Sequence, residues 1–564
     1  MHPGWGPNIQ IKLAPCLESK RKGGARIPTA FVLVFLTLAL APLCQAVPVF
    51  ARMYGTSCQT CHIVFPKLND FGKAFKDAGF KFPKDDETFL KVAPVMLGAE
   101  ANKENFPKSV WPGSIPGMPP IGLRYSQFFQ VTTNTNKYNA LTAQGTVPGF
   151  IPTTDFQTGF FSIFTAGNFG SDIAFWVDED FSVGGDNGAG GLGDAYLKFV
   201  NLSRFMKLPK DSLTFRVGQF ELDLPFTQAR AYDLSPYDIY SQANIGAMNS
   251  LVSLQQNVSN AFTFDGAAKG VEISGGHQYG GYHYSLAVFD QNTSGVQQSS
   301  NAYGYVPSAT GGSGGGVGFA SDSSFKDIFA RLSYRFNLER DKESRDSVQA
   351  AGPTGPRDHT YLTLGTYYLY GNSQQRFAGA AADGTSTLLT AREPYYRVGG
   401  DFSFNYRRLN VYGLYMVGHD NNLLPINAQG DLIVLPVGTT PAVPVAFVKS
   451  VPATFNGGFV QSDYLIFPWI LAYMRWDGVN STADRINGLA MGTASPFLFA
   501  FNSTRNRYTP GIQFLIHPNI KASMEYQIRP QQSLEVIQDP TSGSLTAVNP
   551  FRANTALFAL EFVY

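Results

Sequence analysis

Lys521-Ala522-Ser523-Met524-Glu525-Tyr526-Gln527-Ile528-Arg529 carries apolar residues at every even position and polar or charged residues at every odd one. A strand sends successive side chains to opposite faces, so this stretch has one greasy face and one wet face. Arg331-Leu332-Ser333-Tyr334-Arg335-Phe336 repeats the pattern. A soluble sandwich also alternates, but it has no need of so many aromatics near strand ends or so many polar positions on the second face. The alternation predicts an all-β transmembrane barrel with lipid against one face of each strand.

Composition agrees with that reading. Aromatic residues make up 14% of the chain, Gly occurs 57 times and charged residues reach only 15%, a mixture foreign to most soluble enzymes and ordinary for a lipid-facing barrel. The net charge of +1 argues against a nucleic-acid footprint. No apolar run after residue 46 is long enough for a transmembrane helix.

Runs with strand character fall at 92–101, 121–133, 158–168, 173–181, 194–202, 212–222, 261–277, 282–292, 328–337, 360–370, 396–405, 409–418, 459–467, 469–476, 508–517, 521–529 and 555–564. Bacterial single-chain barrels favour even numbers, so about 16 antiparallel strands are expected, with the first candidate or one middle piece outside the wall. The chain ends Thr555-Ala556-Leu557-Phe558-Ala559-Leu560-Glu561-Phe562-Val563-Tyr564, a terminal strand that looks like the assembly signal of bacterial outer-membrane barrels. Long segments at 294–324 and 421–451 read as extracellular or constriction loops. Asp178, Glu179, Asp180, Asp186 and Asp194 surround a Gly-rich turn at 184–193, where they form either a solvated turn or an attractor of metal cations at a pore mouth.

The first 46 residues read as an export signal. Lys20, Arg21, Lys22 and Arg26 precede a mostly apolar stretch from Ile27 to Leu43, and Cys44-Gln45-Ala46 offers small residues before a cut at Val47. Leu43 is a poor fit to a lipoprotein site at Cys44. The stretch Met1 to Glu18 ahead of the basic region is read as the product of a misplaced start codon. Roughly 500 residues then remain, enough for one large barrel.

Cys58-Gln59-Thr60-Cys61-His62 is a C-x-x-C-H pentapeptide, and after cleavage its two cysteines are the only ones left. In a c-type haem site the two thiols add to the porphyrin vinyl groups, and the adjacent imidazole reaches the iron from the proximal side. A zinc site would need two further soft or imidazole ligands, and no second Cys or His pair lies nearby. A thioredoxin-like dithiol would sit in a strand–helix context that the flanks do not suggest. Downstream, Leu68, Phe71, Phe75 and Ala78 recur at helical spacing, and Gly79 stands where a helix would stop. The stripe is expected to face the porphyrin. A unit of about 40 residues cannot build an adequate core alone, so it needs a cofactor and a host surface.

Phe50-Ala51-Arg52 before the pentapeptide, and Phe65-Pro66-Lys67-Leu68-Asn69-Asp70-Phe71-Gly72-Lys73-Ala74-Phe75-Lys76 after it, resemble the fused monohaem cytochrome c-porins of bacterial outer membranes, whose best-known members are iron-oxidising. The specific match covers Phe50 to Phe80. Beyond it the resemblance is to a barrel of similar length and texture. It implies a signal peptide (1–46), a cytochrome c-like haem unit (47–90) that plugs or caps the barrel, and a porin-like barrel (91–564) in the outer membrane. The implied cofactor is one covalent haem c on Cys58 and Cys61, with His62 as proximal iron ligand. Iron(II) as donor belongs to some members of the family.

For the sixth iron position the sequence offers Met96, 34 residues after His62, and Met118 in Ile115-Pro116-Gly117-Met118-Pro119-Pro120. A thioether there raises the potential relative to a second imidazole. His277, His283, His359, His419 and His517 lie in the strand region and read as lumen or interface residues. The expected partners are outer-membrane lipid, a periplasmic cytochrome or other electron carrier, and an extracellular donor such as Fe(II), with no nucleic acid. Two functions stand side by side: an electron-transfer conduit, and a solute porin with a redox-sensing or gating haem plug. A soluble periplasmic haem enzyme is a third.

Overall fold

The structure is a computed structural model. It describes residues 49–83, 86–93, 95–96, 114–115, 117, 120–132, 154–169, 172–183, 191–200, 202–227, 233–235, 237–241, 267–290, 325–338, 360–380, 386–421, 423–426, 429–430, 446–449, 452–481, 504–529, 536–538, 545–547 and 554–564.

Among these, 16 strands form a closed barrel. In chain order they are β1 (Ile121–Thr132), β2 (Thr154–Phe169), β3 (Ile173–Val183), β4 (Gly191–Phe199), β5 (Thr214–Phe220), β6 (Ala268–Gly276), β7 (Gly281–Asp290) and β8 (Asp327–Asn337). The second half comprises β9 (Tyr361–Ala380), β10 (Ser386–Tyr406), β11 (Leu409–Asp420), β12 (Ala453–Phe467), β13 (Ile470–Ser481), β14 (Thr504–His517), β15 (Ile520–Gln527) and β16 (Thr555–Val563). Each pairs antiparallel with its neighbours, and β16 pairs with β1 from Thr555↔Thr132 to Val563↔Arg124, which removes every free edge. The expected strand positions are met by these elements. Of the first candidate, 92–101, the described strand Val95–Met96 lies outside the wall and pairs with Ser114–Ile115; residues 97–101 lie outside the described residues. The β9–β10 hairpin runs well past the expected 360–370 and 396–405, its pairing continuing from Tyr361↔Asn405 to Ala380↔Ser386 through a polar stretch.

The barrel is inside-out. On β8, Leu332 is 56% exposed and Tyr334 48%, while Arg331 and Arg335 on either side of them are 8% and 4% exposed. Burial on β15 alternates in the same way, with Lys521, Ser523 and Glu525 inward and Met524 and Tyr526 outward. An apolar outer belt of this kind is stable only against hydrocarbon, where a closed barrel also satisfies every ladder group. Exposed aromatics ring both rims: Tyr406, Phe467, Trp469 and Tyr564 at one, Trp476, Tyr508 and Tyr526 towards the other. No helix of the described residues is long and apolar enough to cross a membrane; the strands do so.

The two ends differ. At one end five connections are short, at 170–172, 277–280, 407–408, 468–469 and 518–519, and two are longer, at 200–213 and 338–360. At the other end six are long, at 133–153, 221–267, 291–326, 421–452, 482–503 and 528–554, and two are short, at 184–190 and 381–385. The segment expected as a loop at 421–451 carries a hairpin of Leu423–Ile426 and Ala446–Lys449.

Among the described residues, two segments occupy the lumen. The first is the amino-terminal plug, which enters at the short-turn end. Its helix α1 (Val49–Tyr54) leads to a 3-10 turn at Cys58–Thr60, a small hairpin of His62–Val64 and Lys67–Leu68, and helix α2 (Asp70–Asp77). The second is the β5–β6 connection, whose described parts at 221–227, 233–235 and 237–241 fold inward from the long-loop end. Sequence reasoning missed this loop, because its residues alternate like a strand end and nothing local marks them as inward.

Inward charges are paired across these contacts. Arg475 bonds Asp477 at 2.8 Å and lies 3.4 Å from Asp233 of the inward loop, and its side chain is fully buried. Glu525 accepts from Leu234 N, Ser235 N and Ser235 Oγ. Asp238 meets Arg507 and Arg529. Removing one partner from such a set costs more than the pair itself contributes, because a desolvated charge is left behind.

The inside-out pattern sets a contrast. Leu332→Arg is expected to cost about 2–4 kcal/mol near the bilayer midplane, while Ser333→Ala, one residue away on the lumen side, stays within about 1 kcal/mol. Urea unfolding from lipid vesicles measures both, and equal effects would contradict the assigned faces.

Candidate functional site

The C-x-x-C-H segment is held by backbone chemistry that its own flanking residues supply. Asn69 caps α2 by accepting from Gly72 N at 2.8 Å, and its Nδ2 donates back to the carbonyls of Gln59 and Thr60. The Asn69 N–H donates to Cys61 O at 2.9 Å. Gly72 packs so closely on this carbonyl that a Cβ there would lie 2.1 Å from Cys61 O. Gly79 ends the helix at φ +76°, with Ala174 and Val200 of the wall against it, and so fits the place where the sequence put a helix stop.

The apolar stripe of α2 has two duties. Phe71 and Phe75 pack in an aromatic cluster with Phe50, Tyr54, Phe80 and Phe82, including a Tyr54–Phe82 stack at 4.3 Å. They also line the cavity described below. The stripe therefore builds the plug's own core as well as facing the lumen space.

Several contacts lock the plug to the wall. Asp70 takes a two-pronged bond from Arg335 at 2.8 and 2.7 Å, and Lys67 donates to Asp463 at 2.9 Å and to Asn410 at 3.2 Å. Lys521 donates to Phe65 O at 2.9 Å, and Arg52 to Ile121 O at 2.6 Å. Val64 and Phe65 pack against Leu465, Leu471, Tyr473 and Leu515, and Phe80 packs against Trp176.

Between the plug and the inward loop lies a cavity of about 960 Å³, at the upper end of the ~300–1,000 Å³ usual for cofactor pockets. Cys58, Cys61 and His62 line it from the plug, Phe226, Leu234 and Tyr237 from the inward loop, and Tyr196, Lys198 and Tyr412 from the wall. The candidate haem residues are thus brought together, facing the lumen's open space. Among the described residues Cys58 and Cys61 are free thiols.

His62 Nδ1 lies 3.2 Å from the Pro66 carbonyl. A carbonyl can only accept, so Nδ1 carries the proton and Nε2 keeps its lone pair, the arrangement typical of metal-bound histidine. Burial holds the imidazole down at about 4, opposed by the Pro66 bond and assisted by the Lys521 ammonium. At neutral pH the ring is a neutral donor. Burial pushes the Cys61 thiol up to about 12, with the neighbouring Cys58 adding to the effect, and burial also raises Cys58. A redox or zinc-binding dithiol needs the opposite shift. These residues fit a covalently attached porphyrin: two adjacent neutral thiols, a neutral imidazole with Nε2 available, and space in front of them.

Of the two sixth-ligand candidates only Met96 falls among the described residues, and it is not among the described residues that line the cavity. Met96 ends the short strand Val95–Met96, paired with Ser114–Ile115, and Gly117 abuts the Ala93 carbonyl. Met118 lies outside the described residues. The acidic cluster is dispersed. Asp178 Oδ1 accepts from Trp176 Nε1 and from Asp194 N, and Asp194 Oδ1 accepts from Glu221 N, so these two carboxylates brace the root of the inward loop. Asp186 lies outside the described residues, which contain no group of three or more metal-ligating side chains. His283 faces the lumen, bonded to Asp223 at 2.8 Å. His277 sits by Asp211, His419 stacks on Tyr396 and His517 bonds Asn519. His359 lies outside the described residues.

No protein-family model matches the chain, and no curated protein does. Solved structures similar to it are outer-membrane barrels. OmpT of Vibrio cholerae in its trimer form aligns over 80% of this chain and 99% of its own at 9% identity and a TM-score of 0.38. Salmonella typhi OmpF in complex with daunomycin aligns over 79% and 97% at 8% identity and a TM-score of 0.39. Pseudomonas putida OprB at high pH aligns over 79% and 94% at 10% identity and a TM-score of 0.36.

Gly72→Ala, which forces α2 off Cys61 O, is expected to remove most of the covalent haem signal in a pyridine haemochrome assay while the barrel still forms. Heat-modifiable migration on a denaturing gel checks the barrel. Full haem content in this variant would dissociate the α2 contact from the site.

Proposed function

We propose that this chain is an outer-membrane electron-transfer barrel. Cys58 and Cys61 would hold one covalent c-type haem and His62 would offer its imidazole to the iron, so that the group would supply one-electron transfer between an extracellular donor and a periplasmic carrier. The observation that carries the reading is the placement of the C-x-x-C-H segment inside the lumen, fixed by Asn69 and Gly72, with His62 Nε2 available beside a large cavity. Bound there, the haem supplies one-electron redox chemistry. The chain's own residues hold and desolvate the imidazole, and the wall keeps the group away from hydrocarbon. The apolar outer belt supports a bacterial outer membrane as the location, with the short-turn, plug-bearing end towards the periplasm as in barrels of this class.

Ferrous iron is the donor proposed first. Stopped-flow mixing of the detergent-solubilised protein with ferrous iron is expected to bring up the reduced α-band. An unchanged oxidised spectrum across the pH range in which ferrous iron stays dissolved would eliminate iron as donor and leave other reductants to be tried.

A second reading is a solute porin whose haem plug gates or senses redox state. It is favoured by the cavity itself, which has many charged and polar residues in its lining. Liposome swelling separates the two: flux that changes with oxidation state supports the porin, and no flux in either state supports the conduit.

The sixth ligand is proposed to be Met96, with Met118 as the alternative. Met96→Ala is expected to convert a low-spin haem spectrum to high-spin and to lower the midpoint potential. A spectrum and potential like those of the unmodified protein would transfer the role to Met118.

A further inference from the structure

The long-loop half of the lumen is not a polar channel in the described residues. Leu222, Leu224, Tyr237, Ile239 and Tyr240 of the inward loop pack with inward-facing wall residues, among them Phe289, Phe329, Leu369, Tyr395, Met416 and Phe459, in one buried cluster. At the same height Arg475 and Asp477 are fully buried, sealed by the loop rather than bathed in solvent. Side chains that would line water in an open pore are here an interior, packed as the core of a soluble protein is packed.

Aromatic rings thread this packing without a break. Lys67 of the plug sits 4.1 Å above the ring of Tyr412. Tyr412 lies 4.7 Å from Phe226, Phe226 lies 5.8 Å from Phe459, and Phe459 stacks on Tyr237 at 4.0 Å. Tyr237 meets Tyr240 at 5.9 Å, beside Asp238, whose carboxylate reaches Arg529 just beyond the long-loop end of β15. Tyr412, Phe226 and Tyr237 also line the cavity. The series therefore runs from the cavity's edge towards the long-loop mouth. Its middle is immobilised: Tyr237 donates to Asp233 at 2.9 Å, and the Arg475 guanidinium lies 4.9 Å from its ring centroid.

We propose that the inward loop is a dry aromatic septum that shuts the barrel to solutes and couples a donor at the long-loop mouth to the redox group in the cavity. The coupling half rests on the electron-transfer reading above; the sealing half does not. In the coupled step one electron would leave the external donor, oxidising it by one unit, and would be accepted by the one-electron redox group that Cys58, Cys61 and His62 would hold. No bond forms, no proton moves, and the rings bridge the gap without being oxidised.

Planar-bilayer conductance tests the seal without reference to haem. The purified protein is expected to show no ion conductance, and porin-sized current steps from it would overturn the proposal. Ferrocyanide, a one-electron donor that lipid excludes, then tests the coupling in vesicles with the long-loop end outward. The double variant Phe226→Leu with Tyr237→Leu keeps apolar filling and removes two rings. Because both residues line the cavity, the midpoint potential of each protein is measured and rates are compared at matched driving force; the double variant is expected to stay non-conducting and to be reduced about tenfold more slowly. Tyr237→Phe, which keeps the ring and loses only the hydroxyl, should reduce at the unmodified rate. An unchanged rate in the double variant overturns the coupling. Preparations with no pyridine haemochrome band overturn the coupling together with the electron-transfer reading, and the conductance result still decides the seal.

Discussion

Desolvation of inward-facing polar groups governs this molecule. Closing a sheet into a tube in lipid satisfies the backbone but turns one side chain in two towards the lumen. An open porin leaves those groups to water. Here much of the lumen is occupied by the chain itself, and the charges that the pattern sends inward are matched one against another: Arg335 with Asp70, Lys67 with Asp463, Arg475 with Asp477 and Asp233, Arg507 with Asp238. The arrangement makes plug, inward loop and wall interdependent, since a charge buried without its partner costs several kcal/mol.

That constraint also fixes the C-x-x-C-H segment. Two cysteines and a histidine in five residues would be mobile on a free peptide. In the lumen they are set by Asn69, which ties the turn to the start of α2, and by Gly72, which lets the helix approach the Cys61 carbonyl. The same burial keeps His62 neutral and leaves Nε2 free to donate, because the Pro66 carbonyl has engaged Nδ1. Chemistry and packing thus have a single cause at this site: a small helical unit, too small to fold on a core of its own, borrows the inside of a barrel.

The cavity sits between two unlike boundaries. On the plug side it meets thiols, an imidazole and paired charges, and on the loop side it meets packed rings. The short-turn end and the long-loop end are therefore chemically distinct approaches to one space.

The strand content, the facing of each strand, the helix stop at Gly79 and the C-x-x-C-H segment were all legible in the sequence, because each is set by near neighbours: a period of two, a left-handed glycine, or a motif of fixed spacing. The exclusion of Val95–Met96 from the wall was foreseen only as one option, since parity of strand number constrains the count and not the membership. The fates of Asp178 and Asp194, and the inward course of residues 221–241, were not legible. They depend on partners far along the chain, Glu221 for Asp194 and Arg475, Arg507 and Glu525 for the loop, and no local period encodes such pairings. Sequence alone determined that the chain makes a lipid-facing tube with a C-x-x-C-H segment ahead of it. Only the tertiary structure decided that the motif lies inside the tube and that the tube is filled, because filling is a property of volume and charge summed over distant segments.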